Sequence, residues 1–289
     1  MKSLLLLGFG LYSLGTSVRA EAILKPKLTA TSSNFEILAQ ANSSSQTAAS
    51  PLVRAAKELL SLERYELESV MQITGDIPGT SFTSDAEIKT IVEAPNKFNS
   101  QITFVSPNGL EGKAYDIVSD GSRVWIYDYA TNQYSVSDLD SFLQTRESFL
   151  VGALSYFYLN TRSNIGSSSI VANFLAKLPE DRLIDYFQRF SNLNLENSAI
   201  ADKTIEGRNY KVYEIDATVR GFKATAYIDS EGEYVERVNL SGTKDDLQLA
   251  TKEQMLEQNI PESFSDDTFS FEPPDDAEPV EQQIIITPF

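Results

Sequence analysis

Apolar and polar residues alternate with a period of two along several segments of the 289-residue chain. In residues 65–73, one side of an extended chain carries Tyr65, Leu67, Met71 and Ile73, and the other side carries Glu66, Glu68 and Gln72. Residues 82–92 and 98–104 repeat this alternation. Because the second face is polar, these segments predict half-buried strands of an antiparallel sheet, which can leave one face in water.

Residues 115–136 predict a β-meander of three short strands. Two tight turns, at 119–121 and 129–132, separate the strands, and both contain residues that tolerate positive φ. The period of two returns late in the chain and predicts strands at 198–205, 210–217, 222–228, 234–240 and 269–271. Short connections between so many strands favour one large curved antiparallel sheet.

A period of 3.6 residues marks the helices. Ser50 and Pro51 suit the start of a first helix of about a dozen residues. Residues 138–192 show the same period and predict three or four more helices, with a break at 166–169. The sequence therefore predicts an α+β fold in which helices lie on a single large sheet.

The chain contains neither cysteine nor histidine. Their absence from the sequence excludes His-based acid–base chemistry, Cys–His and Ser-His-Asp nucleophilic sites, Cys/His zinc sites and disulfides. It also excludes an acylated N-terminal cysteine, so the protein is not itself a bacterial lipoprotein. No motif frames a carboxylate pair or a phosphate loop, and we therefore expect neither enzymatic activity nor a cofactor.

The formal net charge is −17. Such an acidic surface is repelled by nucleic-acid phosphates and by anionic lipid headgroups, which argues against both as electrostatic partners. The acidic clusters late in the chain lack the Asp-x-Asp-x-Asp-Gly pattern of a calcium loop, so we interpret them as solvated loops and expect no metal site.

The first 20 residues resemble a secretory signal peptide. Lys2 precedes an apolar run that is too short to span a bilayer, and small residues at positions 18 and 20 predict cleavage after Ala20. An uncleaved anchor is the alternative, and the short apolar run argues against it. Loss of Lys2 and Arg19 would change the net charge from −17 to −19. We expect export to the periplasm and no integral membrane segment in the mature chain.

The remaining chain divides by composition into three regions. Residues 21–50 are rich in Ser, Thr, Ala, Gln and Asn and predict a flexible leader. Residues 51–278 carry the periodic segments and predict one domain. Residues 279–289 end in an apolar run and predict either an edge strand or an exposed tail.

Three short motifs, in this order, resemble the LolA/LolB-like superfamily of periplasmic lipoprotein carriers. They are Ala-Pro-Asn-Lys-Phe-Asn at 94–99, Val-Ser-Asp-Gly at 118–121 followed by Trp-Ile-Tyr-Asp at 125–128, and Phe-Ser-Phe-Glu-Pro-Pro at 269–274. The resemblance implies an unclosed half β-barrel of about eleven antiparallel strands whose concave face is covered by helices that act as a lid. Carriers of this family hold lipoprotein acyl chains in that cavity, and other members act as sensors.

One position departs from the carrier pattern. The carriers have an Arg immediately before the Pro-Asn pair, whereas this chain has Ala94. The resemblance therefore favours binding of an apolar ligand over lipoprotein shuttling between a releasing complex and a receptor.

The residues predicted to line a lipid cavity share the apolar faces of the strands and helices. They are Tyr65, Leu67, Met71, Ile73, Phe98, Ile102, Phe104, Val124, Ile126, Phe142, Leu150, Phe157, Phe174 and Phe187. The same pattern fits a dry core, because apolar periodicity reports burial and not vacancy. Trp125 and Tyr127 fall on the opposite face of a regular strand, and a bulge would exchange the two faces.

The sequence and the resemblance together predict a non-catalytic periplasmic binding protein. Its ligands would be lipid or lipoprotein acyl chains, and its role would be that of a carrier or a sensor. The alternative is an envelope protein-interaction module without a ligand cavity, which would bind partner proteins through sheet edges or through residues 284–286.

Overall fold

The computed structural model contains one twelve-stranded sheet with helices packed on one of its faces. It describes residues 50–77, 80–105, 112–145, 147–165, 194–217, 222–229, 234–244 and 247–282, together with residues 174, 177–180, 182, 183 and 285. The predicted α+β class with a single large sheet is confirmed.

The first half of the chain supplies strands β1 to β6, and the second half supplies β7 to β12. Their bounds are β1 Arg64–Ile77, β2 Thr80–Glu93, β3 Lys97–Val105, β4 Ala114–Asp120, β5 Arg123–Asp128, β6 Gln133–Asp138, β7 Asn194–Ile205, β8 Arg208–Ala217, β9 Phe222–Asp229, β10 Val235–Lys244, β11 Leu247–Asn259 and β12 Glu278–Pro279. The described helices are α1 Ser50–Ser61, α2 Leu139–Gln144, a 3₁₀ helix Glu147–Val151 and α3 Ala153–Ile165.

The strand order is β12-β6-β5-β4-β3-β2-β1-β11-β10-β9-β8-β7. The outermost strands, β12 and β7, do not pair with each other in the described part of the chain, so the sheet is unclosed. Neighbouring strands are antiparallel except for the short parallel pair of β12 and β6. The central contact joins the two halves of the chain, because β1 pairs with β2 on one side and with β11 on the other.

Local sequence explains where the first elements start and turn. The predicted first helix is confirmed as α1, and its apolar residues Leu52, Val53 and Leu60 are buried. The predicted meander is confirmed as β4, β5 and β6. Its two turns contain Gly121 and Asn132 at φ values of 101° and 53°, in the left-handed region that these residue types tolerate.

Near the end of the chain, one predicted strand is wrong and one strand was missed. Residues 269–271 form a turn and an irregular segment, not a strand. The long strand β11 was not predicted, because its buried positions include Thr251 and Glu253, which interrupt the apolar alternation. Most residues of the predicted helices beyond residue 165 lie outside the described residues.

The segment that follows β11 crosses the sheet face opposite the helices, which we call the outer face. The Asn99 side chain donates a hydrogen bond of 2.9 Å to the Thr268 carbonyl oxygen. The Phe271 ring lies 6.5 Å from the ring of Trp125 and 5.7 Å from that of Tyr127. The rings of Trp125 and Tyr127 are therefore on the outer face. Strand β5 pairs with its neighbours without a bulge, so its two faces are not exchanged.

The ends of the chain are described only in part. The predicted signal peptide and nearly all of the leader lie outside the described residues. Near the C-terminus, Ile285 packs against the core, whereas residues 284 and 286 are not described. Among the described residues, no helix combines the length and the apolar character needed to cross a membrane.

Candidate ligand-binding site

The apolar face of the sheet that meets the helices, which we call the inner face, contains most of the predicted cavity residues. The predicted strand residues are each at most 6% exposed: Tyr65, Leu67, Met71, Ile73, Phe98, Ile102, Phe104, Val124 and Ile126. All nine belong to one apolar cluster with residues of the helices. Strand alternation and the antiparallel register bring them together, because every second residue of neighbouring strands points to the same face.

The predicted helix residues are less uniform. Phe142 and Leu150 are buried in the same cluster, and Phe157 is partly buried against it. Phe174 is 53% exposed, so the structure does not place it in the cluster. Phe187 lies outside the described residues.

Helix α2 and the 3₁₀ helix contact the strands β2 and β3 directly. The ring of Phe142 lies 5.8 Å from the ring of Phe98. The buried Thr90 hydroxyl donates a 2.9 Å hydrogen bond to the Val151 carbonyl oxygen and lies 2.7 Å from the Ser100 hydroxyl. These contacts fasten the helical layer to the inner face through both an aromatic pair and a buried polar group.

A buried carboxylate lies on the inner face, where sequence analysis predicted only apolar side chains. Glu253, on β11, is 1% exposed. It accepts hydrogen bonds of 2.7 Å from the Ser69 hydroxyl and 2.6 Å from the Ala153 backbone N–H. The second bond places the carboxylate at the N-terminus of α3, where the helix dipole favours negative charge.

Burial raises the pKa of Glu253 above its ordinary value, and its two hydrogen bonds oppose this shift. No Lys or Arg among the described residues forms an ion pair with it. Gly152 permits the close approach of α3, because a Cβ at this position would lie only 2.9 Å from Glu253 Oε1. Its φ of 90° is a further reason for glycine there.

Aromatic and hydroxyl groups continue from this carboxylate along the buried face of α3. Tyr65 packs edge-on against Tyr158, with ring centroids 5.3 Å apart. Desolvation raises the pKa of Tyr65, and the nearby Ser155 hydroxyl opposes that shift. The Tyr158 hydroxyl donates a 2.7 Å hydrogen bond to the Leu62 carbonyl oxygen, which connects α3 to the start of β1.

Glu253, Ser155, Tyr158 and Arg162 thus form a buried line of polar groups, which we call the polar row, and Arg162 lies at its far end. The side chain is fully inside the protein, at 2% exposed, and its guanidinium lies over the Tyr158 ring at 5.5 Å from the ring centroid. Its Nε donates a long hydrogen bond of 3.3 Å to the Tyr158 hydroxyl. Its Nη1 is buried and has no hydrogen-bond partner, as is also true of the Thr251 hydroxyl on β11.

The outer face also contains a buried carboxylate, but this one, unlike Glu253, is paired with a cation. Glu236, which is 4% exposed, accepts hydrogen bonds of 2.6 Å from the Tyr210 hydroxyl and 3.1 Å from Arg208. This carboxylate has a cation beside it and needs no further partner. The unusual buried charges are therefore Glu253, on the inner face of the sheet, and Arg162, on the buried face of α3.

The inner face thus offers a large apolar surface and a short polar row, but no metal-binding cluster. Within the residues that the structure describes, no group of three or more acidic side chains could hold a metal ion. Sequence analysis missed the polar row because its two charged residues have polar neighbours along the chain. Lys252 and Gln254 flank Glu253, and Thr161 and Ser163 flank Arg162, so neither charge interrupts an apolar run. A charged residue at a position of apolar periodicity is the signal that could have identified Glu253 and Arg162.

Several solved structures are similar to this chain at low sequence identity. An uncharacterised conserved protein from Thermus thermophilus matches with 14% identity and a TM-score of 0.39, over 82% of this chain and 100% of its own. A LolA superfamily protein from Nitrosomonas europaea matches with 11% identity and a TM-score of 0.35, over 78% of this chain and 99% of its own. LprF from Mycobacterium bovis matches with 11% identity and a TM-score of 0.36, over 75% of this chain and 96% of its own.

No protein-family model matches the chain, and no curated protein matches it.

Proposed function

We propose that the protein is a non-catalytic, exported binding protein that holds the acyl chains of a lipid or lipoprotein between its sheet and its helices. The observation that carries the proposal is the continuous apolar surface of β1 to β5, which is covered by short helices instead of a second sheet. A surface of this kind suits a long hydrocarbon chain, whose binding requires apolar area and little directional bonding.

The affinity of such a site comes from methylene burial. Each buried methylene contributes about 0.8 kcal/mol, so about ten methylenes contribute about 8 kcal/mol before the cost of ordering the chain is subtracted. That sum allows firm retention without any strong polar contact. A carrier and a sensor both need such retention, and the proposal covers both roles.

Ligand entry requires the helical layer to move, because residues such as Phe98 and Phe142 are completely buried against each other. The hydrogen bonds of Thr90 with Val151 and of Glu253 with Ala153 are two of the contacts that hold this layer on the sheet. A ligand would thus select an open form in which the helices lie farther from the sheet. Occupancy and helix position would be linked, as a carrier or a sensor requires.

Native mass spectrometry of the chain from residue 21 onward, purified from a bacterial periplasm without detergent, tests the proposal. We expect discrete added masses that fragment into fatty acyl species. The same protein after incubation with lipid vesicles provides a second measurement. A bare protein mass in both samples would refute acyl-chain binding and would favour the protein-interaction module.

A further inference from the structure

Arg162 is a buried cation, and none of the residues that the structure describes supplies a counter-ion for it. It is 2% exposed, its Nη1 has no hydrogen-bond partner, and it forms no ion pair with any described residue. The guanidinium remains charged at every physiological pH. Burying an unpaired charge is among the most unfavourable arrangements in a protein, so a buried Arg of this kind indicates a partner that the chain itself does not supply.

Among the described residues, Glu63 and Glu253 act electrostatically on Tyr158 and Tyr65, and neither forms an ion pair with Arg162. Glu63 affects the pKa of Tyr158 electrostatically, but its side chain is exposed. Glu253 accepts a hydrogen bond from the backbone N–H of Ala153, nine residues before Arg162 on α3, and no ion pair joins the two side chains. The Tyr158 ring and hydroxyl are the groups that contact the guanidinium, and they carry no negative charge at neutral pH because burial raises the pKa of Tyr158.

The position of Arg162 connects it to the apolar surface. Ser155, Tyr158 and Arg162 follow one another at helical spacing on the buried face of α3. Tyr158 packs on Tyr65, which begins the apolar strip of β1. A ligand that lies along this strip would therefore bring one end close to Arg162.

We propose that Arg162 binds the oxyanion head, a carboxylate or a phosphate, of a ligand whose hydrocarbon chain lies on the inner face. Nη1 supplies the free donor, and a charge-assisted hydrogen bond to an oxyanion is the contact that guanidinium groups make best. A neutral head would satisfy the donor but would leave the charge unpaired. This inference rests on the proposed function, since it names the chemical class of the ligand.

The net charge of the protein makes the proposal more specific. A chain with a formal charge of −17 repels free anions, so inorganic phosphate or acetate gains little from approaching it. An anion attached to a hydrocarbon chain differs, because methylene burial brings its head inside. We therefore expect selectivity for anionic amphiphiles over both small anions and neutral lipids.

The test compares three probes that share one hydrocarbon chain: oleate, oleyl phosphate and oleyl alcohol. Their dissociation constants for the protein from residue 21 onward are measured by isothermal titration calorimetry below the micelle concentration of each probe. We expect oleate, oleyl phosphate or both to bind at least about tenfold more tightly than oleyl alcohol. The relative affinities of the two anions distinguish a carboxylate head from a phosphate head.

Variants then assign the preference to Arg162. We expect Arg162→Met to remove the preference for the anion while the affinity for oleyl alcohol stays within about twofold, and Arg162→Lys to retain part of it. Arg123→Met, at an exposed site on β5, is the matched control and should behave as the unchanged protein. Circular dichroism and melting of the unliganded variants verify folding, and loss of an unpaired buried charge should not lower the melting temperature.

The outcomes separate the two proposals. If all three probes bind equally to the unchanged protein, acyl-chain binding stands and the role of Arg162 is overturned, whether or not the Met variant folds. The same conclusion follows if Arg162→Met folds and keeps the preference for the anion. If none of the probes binds, the proposed function itself fails, and the inference fails with it.

Discussion

The buried carboxylate of Glu253 makes the stability of the protein depend on pH in a direction that can be stated in advance. We consider the substitution Glu253→Gln, which keeps the shape of the side chain and removes its charge. The amide oxygen can accept the hydrogen bond from the Ala153 N–H, and the amide nitrogen can donate to the Ser69 hydroxyl. The two contacts of Glu253 are thus preserved, and the difference between the two proteins reports the charge.

The sign follows from the pKa shift. Burial raises the pKa of Glu253 in the folded protein above the ordinary value of 4.5. The folded state therefore binds the proton more tightly than the unfolded state does. The stabilisation from that proton is complete below pH about 4.5, and it is lost as the pH rises through the folded-state pKa. The substitution removes this dependence, so the glutamine variant should gain stability relative to the unchanged protein as the pH increases.

The magnitude of the stability difference depends on how far the desolvation of Glu253, which raises its pKa, exceeds the interactions that lower it. Each unit by which the folded-state pKa exceeds the unfolded value adds about 1.4 kcal/mol to the difference in unfolding free energy. The helix dipole of α3 and the two hydrogen bonds favour the ionised form and reduce the difference. Near pH 4 the two proteins should differ by less than about 1 kcal/mol, since the group is then mostly neutral in both states.

Urea unfolding between pH 4 and pH 8 measures the difference, with the fluorescence of Trp125 as the probe, because it is the chain's single tryptophan. Only the difference between the two proteins is interpreted, so the titration of other carboxylates cancels. Glu214→Gln, at an exposed position of β8, is the matched control and should follow the unchanged protein. A difference that stays constant with pH would mean that the hydrogen bonds balance desolvation, and one that decreases would mean that they outweigh it; either result would refute the reasoning.

Three further predictions concern the packing of the inner and outer faces. Phe98→Ala should lower the unfolding free energy by about 3–5 kcal/mol in urea titrations, because the ring is completely buried against the helical layer; a loss below about 1 kcal/mol would show that the site is not tightly packed. Phe271→Ala should shift the emission of Trp125 to longer wavelength, since the ring that covers it on the outer face is removed; an unchanged spectrum would contradict the contact. Because the chain has no cysteine, Thr90→Cys combined with Val151→Cys allows a short thiol crosslinker to fasten the 3₁₀ helix to β2. This crosslink should slow oleyl alcohol binding in stopped-flow measurements. The double variant without crosslinker is the control, and equal binding rates with and without the crosslink would show that the helical layer does not move.

The parts of the fold that were predicted correctly are those with local signals. The strands β1 to β6 have regular alternation and turn residues that tolerate positive φ, such as Gly121 and Asn132. The prediction of a strand at 269–271 failed for a physical reason. Its two Phe residues alternate as in a strand, but they are buried separately: Phe269 packs against Phe264, and Phe271 packs on the outer face of the meander. Alternation over three residues reports which side chains are covered and does not determine backbone pairing.

Apolar periodicity cannot predict buried charged residues, and Glu253 on strand β11 and Arg162 on α3 are two examples. Both residues bear on the proposed function. Glu253 occupies a position on β11 at which alternation requires an apolar residue, and Arg162 does the same on α3, where Tyr158 and Leu159 one turn earlier are completely buried. In a dry core, both charges would only lower stability, and apolar residues of similar volume would serve better. The burial of Glu253 is offset in part by its hydrogen bond from the Ala153 N–H at the start of α3, and this bond fastens the helix to the sheet. Among the described residues, Arg162 has only the neutral ring and hydroxyl of Tyr158 beside it, so the proposed anionic ligand would supply the opposite charge that this part of the chain lacks.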